Sequence, residues 1–142
     1  MKTVGQILSA KSDRLVTVES DSAVIDALGL MARFEIGALP VVSDGQLVGL
    51  LSERDYARKI VLMGRTSLDT PVSKIMTEAV VCIDRGHSLA RCMELMTEHR
   101  IRYLPVLEAY ELVGIISVGD LVKAIMEDQQ YQIEQLELYI RS

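Results

Sequence analysis

The sequence predicts a mixed α/β (α+β) fold of two β-α-β-β-α repeats packed with pseudo-two-fold symmetry, and three observations carry that prediction. The chain aligns with itself without a gap at a shift of 65 positions. Pro40 then meets Pro105, and Val16, Leu30, Met31, Ile36, Leu39, Val41, Leu47, Val48, Gly49, Ser52, Asp55 and Ile60 all meet identical residues. Self-similarity of this kind marks an internal duplication. In both copies the apolar spacing alternates between strand and helix periods in the same order. Finally, a unit of about 50 residues is too small to bury two helices and both strand faces alone, so the copies are expected to complete a core by mutual packing.

Each element has a local reason. A short β-rich run, Leu15 to Val18 or Val80 to Ile83, opens each copy. A helix follows, because Val24, Ala27, Leu28 and Met31 are answered by Leu89, Cys92, Met93 and Met96 at the spacing of one buried stripe. Two strands come next, Leu39 to Val42 and Gln46 to Leu51 in the first copy, joined there by Ser-Asp-Gly and in the second copy by Glu-Ala-Tyr. Asp-Gly between apolar runs is a hairpin signal. The closing helix carries Tyr56, Ala57, Ile60 and Val61 in one copy and Leu121, Val122, Ile125 and Met126 in the other. Repeat 1 with its lead-in takes residues 1–65; a linker, repeat 2 and a C-terminal extension take residues 66–142. The lead-in VGQIL from Val4 resembles VSKIM from Val72, so it too is duplicated. The tail prolongs the last helix with Ile133, Leu136 and Ile140 on one side, packing either back on its own domain or on a second subunit.

Composition narrows the function. With 49% hydrophobic and 25% charged residues the chain is a globular protein, and its net charge of −5 argues against a general nucleic-acid binder. The apolar runs are far below the roughly 20 residues of a membrane span, and Gln6, Ser9 and Lys11 break any signal-peptide stretch. A cytoplasmic placement is expected. Cys82 and Cys92 form no ligand set and read as small buried hydrophobes, and two histidines give no zinc site.

The chemistry centres on Ser52-x-x-Asp55 and Ser117-x-x-Asp120, each placed where an apolar strand gives way to a helix. One reading is a capping box, in which the hydroxyl accepts from a backbone N–H and the acid reaches back. The other is a ligand site. A helix entrance favours anions such as phosphate, and a carboxylate offers two acceptors to the vicinal hydroxyls of a ribose. Gly49 and Gly114 precede the pairs, and Pro40 and Pro105 lack an N–H, so backbone there is free to face a ligand.

A duplicated β-α-β-β-α unit with LPVV and LPVL in its second strand, then VGLLSERD and VGIISVGD, resembles a tandem pair of cystathionine-β-synthase-type (CBS) domains, a Bateman module. The resemblance runs from the lead-in to about residue 126. It implies a regulatory module that senses AMP, ADP, ATP, NAD or S-adenosylmethionine in clefts between the repeats and signals by a change of conformation or partner affinity. It implies ribose contacts by Asp55 and Asp120 and phosphate or ribose contacts by Ser52 and Ser117. Adenine would lie near Thr17, Val18, Gly37, Ala38 and Pro40 in one copy, and near Cys82, Ile83, Arg102, Tyr103 and Pro105 in the other.

The copies differ in charge. Arg54 stands in the first where Gly119 stands in the second, and Arg102-Tyr103 replace Gly37-Ala38. Arg54 and Arg102 are therefore the candidate phosphate ligands, one per copy, because a guanidinium forks onto phosphate oxygens; solvated surface arginines are the alternative. Lys11 and Lys74 precede the first strands within reach of a phosphate tail, although solvation is the simpler reading. Tyr103 either stacks on a base or fills the repeat interface, and His99 either touches phosphate or caps a helix end.

No nucleophile with a base and no acid–base pair is visible, so an enzyme is not expected. The alternative function is a structural dimerisation module without nucleotide, its Ser-x-x-Asp pairs serving as caps. A homodimer is expected because the amphipathic helices exceed what one double unit can cover, and the resemblance implies that it is a flat disc of four repeats. The regulated partner is expected to be a separate protein, or is unknown.

Overall fold

A computed structural model describes residues 1–11 and 14–142. Its contacts divide the chain into two units that are not contiguous in sequence. One unit comprises Arg14–Val80 with Ala109–Leu112, and the other comprises Met1–Asp13, Val81–Glu108 and Val113–Ser142. The lead-in thus belongs with the second copy and the linker with the first, which differs from a division at residue 65.

In the first-copy unit, β1 (Val18–Glu19) runs parallel to β2 (Ala38–Ser43), which pairs antiparallel with β3 (Gln46–Ser52). The hairpin turn is the one its Asp-Gly demands, with Asp44 at φ 50° and Gly45 at φ 76°. Helix α1 spans Val4–Ala10 in the other unit, and α2 spans Val24–Phe34 here. Ala23 gives α2 no side-chain cap; instead its free N–H groups are taken by the linker, Val24 N donating to Thr70 O at 2.9 Å and Ile25 N to Ser67 O at 3.0 Å. The core is Val24, Ala27 and Met31 against Leu39, Val41 and Leu51, closed by Ile60 and by Val72 and Ile75 of the linker.

The closing helix of the first copy is shorter than its spacing predicts. α3 covers Glu53–Tyr56 and continues as a π-helical turn over Ala57–Val61. Leu62 N donates to Ala57 O five residues back, and in this wider turn Ile60 enters the core while Val61 is left exposed.

In the second copy, α4 (Leu89–His99) presents Leu89, Cys92, Leu95 and Met96 to Leu104, Val106 and Ile116 of a hairpin of β4 (Tyr103–Glu108) and β5 (Glu111–Ser117). The hairpin turn places Ala109 at φ 50° and Tyr110 at φ 68°, a left-handed pair without the usual glycine. The expected run Val80 to Ile83 forms no strand. It contributes one parallel bridge, Ile83 to Val106, where Ile83 N donates to Pro105 O and Leu107 N to Ile83 O. In the first copy the corresponding strand is also cut to two residues, leaving Leu15 exposed.

Helix α5 runs from Val118 to Arg141. Leu121 and Ala124 join the core, whereas Val122 and Met126, expected on the buried stripe, are exposed. Core contact follows the 121–124–125 side of the helix, with Ile125 partly buried against the cluster, and the two exposed residues lie beside it. From Gln129 onward every residue of the tail is exposed, so it does not pack back on its own unit. Val4 and Ile7 of α1 complete this core as Val72 and Ile75 complete the other.

Candidate functional site

At both strand-to-helix junctions the capping box is formed. Asp55 N donates to Ser52 Oγ at 3.3 Å, and Asp55 Oδ2 accepts from Ser52 N at 2.9 Å and Ser52 Oγ at 3.1 Å. In the second copy Asp120 N donates to Ser117 Oγ at 3.1 Å, and Asp120 Oδ2 accepts from Ser117 N at 2.9 Å. Both serines are extended at the N-cap, as the motif requires. The capping reading of the sequence therefore holds in both copies.

Each carboxylate has further partners, and these differ. Asp55 Oδ1 accepts from Thr77 Oγ1 at 3.4 Å and faces Lys59 Nζ at 3.4 Å, while Lys59 donates to Ile75 O at 2.9 Å. Asp120 Oδ2 accepts from Lys11 Nζ at 2.9 Å, and Lys11 also donates to Ile115 O at 3.1 Å. Lys11 is thus an ion-pair partner, not a solvated lysine, because α1 brings it to β5 and α5. Lys74, by contrast, is exposed in a 3-10 turn over Val72–Lys74. Burial alone would push the Asp120 carboxyl up, but the Ser117 backbone N–H and the Lys11 ammonium outweigh it and hold the group below the ordinary carboxylate range. The bonds from Ser117 N and Lys11 Nζ to the Asp120 carboxylate both end on Oδ2.

The two glycines serve packing, not ligand approach. A Cβ on Gly49 would stand 2.5 Å from Met76 Sδ, and one on Gly114 would stand 2.6 Å from Leu8 Cδ2. The space that the missing side chains leave is filled by the lead-in of each unit. The prolines also stay within the sheets. Pro40 is fully buried opposite Leu50 in the ladder, and Pro105, also buried, accepts from Ile83 N through its carbonyl. For the two glycines, whose space Met76 and Leu8 take, the expectation of open backbone is corrected.

Of the remaining candidates, some touch the junction and others lie further along the strand. Gly37 O accepts from Glu53 N at 3.0 Å, Ala38 pairs with Ser52, and Val18 pairs with Val41 next to Pro40, with Thr17 just before it. Arg102 O accepts from Val118 N at 2.9 Å, Tyr103 opens β4, and Cys82 and Ile83 lie along Pro105. The arginine side chains Arg54 and Arg102 are exposed. Cys82 is only partly buried, unlike Cys92, and burial raises both thiols above their ordinary value.

A cleft of about 470 Å³ adjoins Asp120. It is walled by Lys2, Gln6, Ile7, Ala10 and Lys11 of the lead-in and by Lys123, Ala124 and Glu127 of α5. Lys2 is ion-paired with Glu127. Asp120 is the one member of the second candidate set that lines it; the sequence puts Lys11 within reach of a phosphate tail, whereas Lys2 and Gln6 of the lead-in were missed. The signal that could have found them is the pairing of Val4 with Val72 and Ile7 with Ile75, which places both lead-ins in equivalent roles. Among the described residues no cluster of His, Cys, Asp and Glu could hold a metal ion, and no helix is long and apolar enough to cross a membrane.

Comparison with known proteins gives these observations a context. The family model described as CBS domain matches twice, over residues 4–62 and 72–127. The fold is similar to that of a CBS-domain protein of Burkholderia ambifaria MC40-6 described as a signal-transduction protein, with 50% identity and a TM-score of 0.86 over 90% of this chain and 96% of that one. CBS domain-containing protein CBSX3, mitochondrial, of Arabidopsis thaliana is 38% identical over 86% of this chain, which spans 62% of that protein's length. CBS domain-containing protein YhcV of Bacillus subtilis is 33% identical over 89% of both chains.

Proposed function

Because the chain belongs to the CBS-domain family and carries two copies in tandem, we propose that it is a non-catalytic regulatory module that binds an adenosine nucleotide, AMP, ADP, ATP or NAD, at its Ser-x-x-Asp junctions. The observation that carries this reading is the state of Asp120. Its carboxylate is held ionised, its side chain is 23% exposed, and its hydrogen bonds fix Oδ2, which leaves Oδ1 to accept from ribose hydroxyls. A neighbouring cleft of about 470 Å³, with lysines at its wall, falls in the size range of ligand pockets. Helix α5 adds a long helix entrance, whose dipole favours an anionic tail. Arg54 and Arg102 supply phosphate contacts at the first and second junctions, with S-adenosylmethionine a cationic alternative ligand. A ligand that prefers one arrangement of the chain shifts its population, and a change of partner affinity reads out the shift. A cytoplasmic homodimer completes the proposal.

Thermal shift and calorimetric titration with AMP, ADP, ATP, NAD and S-adenosylmethionine test it. A ligand at 100 times its Kd adds about 2.7 kcal/mol to native stability. Asp120→Asn is expected to weaken binding at least tenfold, whereas Ser117→Ala, which removes the cap hydroxyl, weakens it less. Unchanged AMP affinity in both Arg54→Ala and Arg102→Ala overturns the phosphate assignment. No stabilisation by any of the five ligands leaves the carboxylates as caps alone and the chain as a structural dimerisation module.

A further inference from the structure

The exposed side of α5 carries a register of its own. Val122, Met126, Gln129, Ile133, Leu136 and Ile140 recur at alternating steps of four and three, the spacing of a coiled-coil seam. Their five apolar members are between 45% and 79% exposed, on a helix whose first turns are anchored in a folded core. The stripe is about 27 Å long at 1.5 Å per residue.

We propose that this stripe pairs antiparallel with the same stripe of a second copy of the chain. Two features of the sequence select that occupant and that direction. Antiparallel pairing about Tyr131 sets Met126 against the partner's Leu136, Ile133 against the partner's Gln129 and Ile140 against the partner's Val122, so every seam residue has a counterpart. The same register carries Lys123 to the partner's Glu137, twice by symmetry, which pairs opposite charges along one edge of the seam. It also brings Gln130 and Gln132 near their own copies at the two-fold axis, where amides can bond each other. Parallel pairing gives no such match, since Lys123 and Glu137 are then separated by about 21 Å of helix. Anchoring of the first turns on the unit lowers the ordering cost that makes so short a coiled coil marginal in isolation.

Sedimentation equilibrium of the full chain at micromolar concentration, combined with zero-length carbodiimide crosslinking and peptide mapping, tests the pairing. The expected result is a dimer that yields a crosslinked peptide joining Lys123 to Glu137. Those residues are too far apart within one helix for a zero-length reagent, so the peptide reports contact between copies. Lys123→Glu and Glu137→Lys are each expected to raise the dimer Kd about tenfold, because two symmetry-related pairs turn repulsive, and the double variant is expected to restore it. All four substituted positions in these variants and in Ile133→Asp/Leu136→Asp are exposed, so folding is retained while the last variant loses the crosslink. A monomeric wild-type chain, a dimer without the Lys123–Glu137 peptide, or a double charge variant that stays weak overturns the proposal.

Discussion

Replacing Gly49 by Ala tests whether the glycine exists to seat the linker. The added Cβ would stand 2.5 Å from Met76 Sδ, 2.9 Å from Met76 Cγ and 3.1 Å from Thr77 O. Carbon contacts are optimal near ~3.5–4.0 Å, so the overlap on Met76 is about 1 Å. Thr77 cannot retreat easily, because its backbone is held at both ends by Leu50, with Thr77 N donating to Leu50 O at 2.9 Å and Leu50 N to Thr77 O at 3.0 Å. The Met76 side chain must therefore swing out of its place against the first-copy core. Overpacking of this kind costs about 1–3 kcal/mol, and replacing Gly in a strand returns about 0.5–1 kcal/mol of chain entropy. The net loss is about 0–2.5 kcal/mol, or a fall in Tm of up to roughly 10 °C. Urea unfolding of Gly49→Ala, Met76→Ala and the double variant measures it. Because truncating Met76 removes the obstacle, the double variant is expected to be more stable than additivity allows by about 0.5–2 kcal/mol. If Gly49→Ala is neutral and the two changes add within about 0.3 kcal/mol, the close approach of the linker is not what the glycine serves.

Three further outcomes follow from the geometry. Ser52→Ala and Ser117→Ala each remove an N-cap acceptor and are expected to cost about 1 kcal/mol in urea unfolding, with a modest weakening of ligand response confined to the junction changed. The Asp120 carboxyl, lowered in the folded state, contributes stability that is present above its unfolded value near ~3.9 and is lost as pH falls through the lower folded value. Lys11→Met narrows that shift, so the difference in urea midpoint between wild type and variant should be largest near neutral pH and close on acidification. Alkylation at neutral pH should be slower for both thiols than for an unburied cysteine, because burial raises them, and slower at the buried Cys92 than at the partly exposed Cys82.

What the sequence made legible was local. Alternation and the Asp-Gly turn located β2 and β3 to within a residue at either end, and the apolar stripes located α2 and α4, because each rests on neighbours within a few positions. The capping boxes were legible for the same reason: donor and acceptor lie three residues apart. Gly49 and Gly114 were misread, since the side chains that fill their space, Met76 and Leu8, come from segments distant in sequence. The destination of the lead-ins was equally hidden, because Val4 and Val72 carry the same apolar signal whichever copy they complete. The π-helical turn at Ala57–Val61 has no cue in the 3.6-residue periodicity, which therefore placed Val61 inside.

The same carboxylate that closes a helix is asked, in the proposed function, to hold a sugar, and the two duties compete differently in the two copies. A cap needs one oxygen near the N-cap N–H; a ribose needs an acceptor directed outward. At Asp120 the cap and Lys11 both use Oδ2, so ligand contact through Oδ1 costs no bond already made. At Asp55 a ligand meets an Oδ1 already facing Thr77 and Lys59, and the side chain is 13% exposed against 23% for Asp120. Those contacts, at 3.4 Å, are long enough to be displaced, but displacing them takes free energy that the second copy does not require. Duplication has therefore preserved the motif while the lead-ins have made its copies unequal, and under this reading the second junction fills first.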